Sequence, residues 1–167
     1  MFLKICFVVF EYKFIKNKLL SSFMIHLKPP RGFNPSIEVV SCFVEHKGDI
    51  LLLLRQDCKP QPNTWCIPAG KVDSGESRDN AIIREVREET RINLEAKFPD
   101  FFRNVYVRYP EFDFVYSIYH LRISGERPEV IINPLEHKRY KWVTPRDSLR
   151  MNLIPDEDEC IKLFYGI

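Results

Sequence analysis

GKVDSGESRDNAIIREVREETRI, residues 70–92, opens on a glycine, turns at Ser74-Gly75, and then runs from Ser77 to Glu89 without proline or glycine. Ser77 is a candidate N-cap and Asp79 suits the positive end of a helix, so a helix over 77–89 is expected. On such a helix Ile82, Ile83 and Val86 point to a core, while Glu85, Glu88 and Glu89 share a ridge by their i, i+3, i+4 spacing. Like charges at that spacing cost an isolated helix about 0.2–0.5 kcal/mol per pair. Two arrangements would relieve them. Arg84, Arg87 and Arg91 could pair with them on a solvated surface, or a hard divalent cation, Mg²⁺ or Mn²⁺, could sit among the carboxylate oxygens.

Outward from this helix the chain is mostly strand. IEVVSCFV (37–44) is rich in β-branched residues, and after a turn at EHKGD the apolar run ILLLLRQ (50–56) predicts a buried strand. CKPQPNT (58–64) is a proline-containing loop that leads into WCIPAG (65–70). FFRNVYVRY and FDFVYSIYHLRI, separated by Pro110 and Glu111, predict two strands joined by a turn, and KRYKWVT (138–144) another. PRDSLRM begins a short helix at a first-turn proline, and DEDECIKLFYG predicts a final helix. Strands with one long helix in the middle and one at the end indicate an α/β fold, a mixed sheet covered by helices.

A chain of 167 residues fits one domain with a short tail. Residues 1–30 hold five lysines against one glutamate, while the rest carries 20 basic and 22 acidic residues. No basic face for a nucleic-acid backbone is implied, and no nucleic-acid partner is expected. The apolar run from Ile5 to Phe10 is broken by Glu11 and Lys13, too early for a bilayer span of about 20 residues, so stable membrane insertion is not expected. Residues 1–30 are taken as an extension, with Met24 as an alternative start. Pro29, Pro30 and Gly32 mark the boundary with a body over 31–167. The five cysteines are scattered without zinc spacing, which points to small core residues in a reducing, cytoplasmic setting. The four histidines also lack metal spacing. The Asp156–Glu159 run is expected to be a solvated helix N-terminus, and most aromatics of the two tyrosine-rich strands should be core.

Gly70, Glu76, Arg84-Glu85-Val86-Arg87-Glu88-Glu89 and Ile92 together resemble the box of the Nudix hydrolases, G-x5-E-x7-R-E-U-x-E-E-x-G-U with U apolar. Trp65–Gly70 is similar to that family's W-x-x-P-x-G lead-in, and Glu136 followed by Trp142 to its late acid-plus-tryptophan element. The resemblance spans about residues 36–160. Arg91 stands where the family has glycine. A non-glycine residue held left-handed there costs about 1–2 kcal/mol, so either Arg91 bears that cost or the turn runs differently.

The resemblance implies an α/β/α sandwich with the box helix on one face of a mixed sheet and the carboxy-terminal helix on the other. It also implies Mg²⁺- or Mn²⁺-dependent cleavage of a nucleoside diphosphate derivative. By position, Glu85, Glu88 and Glu89 would hold metal with a backbone carbonyl of Ala69 or Gly70. Glu85, Glu88 or Glu136 would act as base. Glu76 and Arg84 would orient the ligands, and Ala69, Lys71 and Tyr109 would touch substrate. A nucleoside triphosphate, including a damaged one, is the leading expectation. Tyr109 leaves dinucleoside polyphosphates open, and the Pro68-Ala69-Gly70 lead-in before Lys71 leaves ADP-ribose or nucleoside diphosphate sugars open. A module that senses nucleotides without turnover is the alternative from another class. The sequence is compatible with a homodimer.

Overall fold

The computed structural model describes residues 24–94, 97–109 and 112–167. The apolar amino-terminal run, Cys6 and the Pro110-Glu111 turn lie outside the described residues. In chain order the elements are β1 (Met24–His26), β2 (Pro35–His46), β3 (Asp49–Arg55), β4 (Trp65–Cys66), β5 (Ala69–Lys71), α1 (Arg78–Thr90), β6 (Asp100–Arg108), β7 (Asp113–Ile123), β8 (His137–Val143), α2 (Pro145–Ser148) and α3 (Glu157–Tyr165).

The strands are ordered β1-β6-β7-β2-β3-β4, with β5 beside β2 and β8 beside β3. β2 and β7 run parallel, from Ile37 opposite Phe114 to His46 opposite Ile123. The other pairings of named strands are antiparallel, so the sheet is mixed. Successive residues of a strand face opposite sides, and β2 and β3 use both. Val40, Cys42, Val44, Leu51 and Leu53 cluster with Ala81, Ile82 and Val86 of α1. Phe43, Ile50 and Leu52 cluster with Cys160 and Ile161 of α3. Burial on both faces explains why β3 is an unbroken apolar run and not an alternating one. The expected sandwich, with one helix to each face, is what forms.

β1 pairs with Tyr106, Val107 and Arg108 of β6, so the sheet begins upstream of the Pro29-Pro30 boundary read from the sequence. Cys42, Cys66 and Cys160 are buried as expected, but Cys58 is exposed. The acidic run is a correction. Glu157 is 4% exposed, and Asp156 adopts φ 67° and makes no side-chain cap, so this helix start is not a solvated one. Asp158 and Glu159 do face outward, onto Lys162. Glu157 instead lies one position before them on the face that docks against the sheet, where helical periodicity puts it with Cys160 and Ile161.

Ser77 caps α1 through a hydrogen bond from the Asn80 amide to its hydroxyl, 3.2 Å. At the other end Arg91 takes φ 57°, ψ 13°, and its amide closes on the Arg87 carbonyl. The arginine therefore adopts the left-handed conformation itself. Arg91→Gly should raise stability by about 1 kcal/mol, the left-handed penalty less glycine's greater freedom when unfolded. For a chain of this size that is a rise in Tm of about 2–4 °C. An unchanged or lower melting temperature would show that the Arg91 side chain offsets the strain.

Candidate active site

The site is assembled where the strand-loop 65–71 crosses α1. Ile67 donates its amide to Glu157, and Ala69 donates its amide to Glu89 Oε2, 3.1 Å. β5 then pairs with β2, Gly70 opposite Val40. A Cβ on Gly70 would fall on the Glu85 carboxylate, so the helix can approach this strand only because the position is glycine. Gly70→Ala leaves the backbone unstrained but drives Glu85 from its seat. A catalytic rate ten- to a hundredfold lower, with the fold intact by circular dichroism, is expected for a misplaced carboxylate; an active Gly70→Ala protein would show that this seat is immaterial.

The ridge expected from the helix spacing divides into three environments. Arg84 holds Glu76 by two hydrogen bonds (3.0 and 2.8 Å), reaches Glu85 at 2.6 Å and donates to the Lys71 carbonyl at 2.9 Å. Glu88 is 3.7 Å from the same guanidinium, and its side chain is half exposed. Arg84 lowers the pKa of Glu76 and has its own raised. Glu85 is mostly covered; burial raises its pKa, and Arg84 opposes that rise. Glu89 is 3% exposed. It falls on the core stripe with Ile82 and Val86, seven and three residues before it. Burial, then the charge of Glu85, pushes its pKa well up, against the Ala69 amide that holds the charged form.

Glu136 arrives from the loop before β8. Ile131 and Asn133 donate their amides to the Thr90 and Glu89 carbonyls, which lashes that loop to the end of α1. The Glu136 carboxylate is 3.3 Å from Lys59 Nζ and accepts a hydrogen bond from Asn133 Nδ2, 3.4 Å. Its charge is felt at both Glu85 and Glu89, so the structure brings it to the group. Lys71 is exposed at the end of β5 beside Arg84. Tyr109 is not brought to these carboxylates. It packs with Phe112 and Phe114 in the cluster on the α3 side of the sheet.

Three neighbours were missed by sequence reasoning. His137 is buried, with Nε2 3.8 Å from Glu89 Oε1 and 3.9 Å from Cys66 Sγ, and burial lowers its pKa to about 4. Arg55 also acts on Glu89, and Lys59 pairs with Glu136. No motif signals them, because Arg55 and Lys59 come from the end of β3 and its loop and His137 from β8, far from the box; the adjacency of His137 to Glu136 was a hint. Among the described residues no three acid, histidine or cysteine side chains are already drawn into one coordination cage. Glu76, Glu85, Glu89 and Glu136 each accept from a protein donor instead, while Glu88 stands 3.7 Å from Arg84.

Residues 35–164 match the NUDIX domain. The CTP pyrophosphohydrolase of Escherichia coli K12 is 29% identical over 133 residues, covering 78% of this chain and 93% of that protein. A putative 8-oxo-dGTP diphosphatase of Bacillus subtilis is 33% identical over 117 residues, covering 69% and 70%. Among solved structures, the MutT protein of Methanosarcina mazei Go1 is similar with a TM-score of 0.66 at 26% identity, covering 80% of this chain and 94% of that one. The match extends through the sheet, the box helix and the carboxy-terminal helix alike, and the chain belongs to the NUDIX domain family.

Proposed function

We propose that this protein is a Mg²⁺- or Mn²⁺-dependent pyrophosphohydrolase that cleaves a phosphoanhydride bond of a nucleoside triphosphate, the damaged forms included. As a Nudix hydrolase it acts on phosphoanhydride bonds; the triphosphate is the finer reading. The observation that carries it is the seating of Glu85 against Gly70 and of Glu89 on the Ala69 amide, with the loop of Glu136 tied to the same end of α1. The relatives named for CTP and for 8-oxo-dGTP support the triphosphate.

The donor set fits a hard cation. All the donors are oxygens, and buried Glu89 has, among the described residues, one amide donor and the His137 imidazole at 3.8 Å, which its lowered pKa leaves uncharged near neutral pH. A divalent ion would repay that desolvation, held by Glu85, Glu88 and Glu89 with a carbonyl at Ala69 or Gly70. When bound, it supplies Lewis acidity at phosphorus and lowers the pKa of attacking water.

The remaining work belongs to the chain. The Glu76–Arg84 pair and the Ala69 amide fix Glu85 and Glu89 in position, which removes reorganisation from the reaction. Glu136 or Glu88, each partly open to solvent, accepts the proton of the attacking water. Water adds across one anhydride bond, giving a nucleoside monophosphate and pyrophosphate. A panel of nucleoside triphosphates, with product identification, tests this. Turnover should appear only with Mg²⁺ or Mn²⁺ and yield those two products. Nucleotide binding without any hydrolysis across the panel would replace the enzyme with a sensor.

A further inference from the structure

We propose that Lys59 is a phosphate-binding residue of this site, held in place in the free protein by Glu136 and released to the substrate's polyphosphate when it arrives. The proposal rests on the reading of the carboxylate group as a polyphosphate site. The loop that carries Lys59 is braced along its length. Arg55 Nε donates to the Pro60 carbonyl at 2.9 Å, and Gln56 Nε2 to the Pro134 carbonyl at 2.8 Å. Lys138 Nζ holds both Asp57 and Asn63, and Asn152 Nδ2 donates to the Asn63 carbonyl at 3.1 Å. Gln61 and Asn63 both adopt positive φ, so a defined turn, not chance, sets where Lys59 begins.

From that base the ammonium group reaches Glu136 Oε2 at 3.3 Å, with both side chains about one-third exposed, 33% and 36%. Pairs this open to water contribute little to stability, so fold maintenance does not account for it. The bracing by Gln56 also ties this loop to Pro134, two residues before Glu136, which keeps the two partners together. The two arginines nearest the group already have protein partners. Arg84 is divided among Glu76, Glu85 and the Lys71 carbonyl, and Arg55 gives its Nε to Pro60. A lysine ammonium has three donors on a flexible stem, and among the described residues this one meets a single carboxylate. A polyphosphate, with several charges against the carboxylate's one, outcompetes Glu136 for it. Binding then also frees the Glu136 carboxylate at the moment a proton acceptor is needed.

The test uses the full chain. Lys59→Met should raise KM for a nucleoside triphosphate about ten- to a hundredfold, the value of a charge-assisted hydrogen bond, while kcat changes less than about threefold. Lys59→Arg should restore KM. In parallel, calorimetric titration with inorganic tripolyphosphate in Mg²⁺ should show the same loss in Lys59→Met. Glu136→Gln should bind tripolyphosphate up to about fivefold more tightly, the worth of an exposed pair. An active wild type whose KM is unmoved by Lys59→Met overturns the proposal, as does looser tripolyphosphate binding in Glu136→Gln. If the wild type turns nothing over, the hydrolase reading fails alone, and the calorimetric arm still decides Lys59: weaker binding in Lys59→Met supports it, equal binding overturns it.

Discussion

Replacing Glu89 by glutamine should abolish turnover, by about a thousandfold or more, and at the same time make the metal-free protein more stable. Both effects have one cause. Glu89 is 3% exposed, and burial with the charge of Glu85 raises its pKa well above the ordinary carboxylate range. A charge kept in such a place is a cost to the fold, tolerated where function requires it. The amide of glutamine keeps an oxygen for the Ala69 N–H and discards the charge, which should stabilise the protein by about 1–2 kcal/mol in a chelating buffer. The same change removes an anionic ligand at the proposed metal site, and stabilisation of transition-state charge worth several kcal/mol goes with it. Added Mg²⁺ should therefore raise the melting temperature of the wild type and not of the variant, since only a state that binds the ion gains from it. Turnover by the Glu89→Gln protein at the wild-type rate would remove Glu89 from the metal site, and equal melting in chelator would show its burial to be harmless.

The second large effect concerns Glu157, whose carboxyl is buried at the start of α3 and pushed up to about 7 by desolvation. Among the described residues its Oε1 has no hydrogen-bond partner, as is true of Asp156 Oδ2 beside it. The sign follows from the two states. Below about pH 4.5, its ordinary value, the group is protonated whether folded or unfolded, and pH has no effect through it. Between there and pH 7 the folded chain keeps a proton that the unfolded chain has released, so stability falls as pH rises. Above pH 7 the whole cost is present, on the order of 3 kcal/mol. Glu157→Gln cannot titrate. Its urea-unfolding free energy should therefore fall less between pH 5 and pH 8 than that of the wild type, by on the order of 3 kcal/mol, with the two proteins closest at the acid end. Parallel pH profiles for the two proteins would mean that Glu157 ionises in the fold as freely as in water.

The elements themselves were legible from local pattern. The helix over 77–89 was readable because Ser77 caps it and no glycine or proline interrupts it, and α1 spans Arg78–Thr90. The strands were readable from β-branched and apolar runs bounded by turn residues. The Nudix resemblance followed from fixed spacings, most of them between Gly70 and Ile92, and the family match covers residues 35–164.

What lay beyond local pattern was the difference between residues that look alike in sequence. Glu85, Glu88 and Glu89 read as one ridge, yet the first is mostly covered, the second half exposed and the third buried. Asp156 to Glu159 read as one charged run, yet Glu157 alone turns fully into the core. Lys59, His137 and Arg55 carry no motif at all and meet the glutamates only because β3, β8 and a braced loop converge there. Sequence by itself determined the chain's local conformations and its family, because capping, periodicity and motif spacing act over a few residues. Only the tertiary structure decided which charge loses its water and which cation stands opposite it. Desolvation and Coulomb attraction depend on distances between segments far apart in the chain, and packing alone sets those distances.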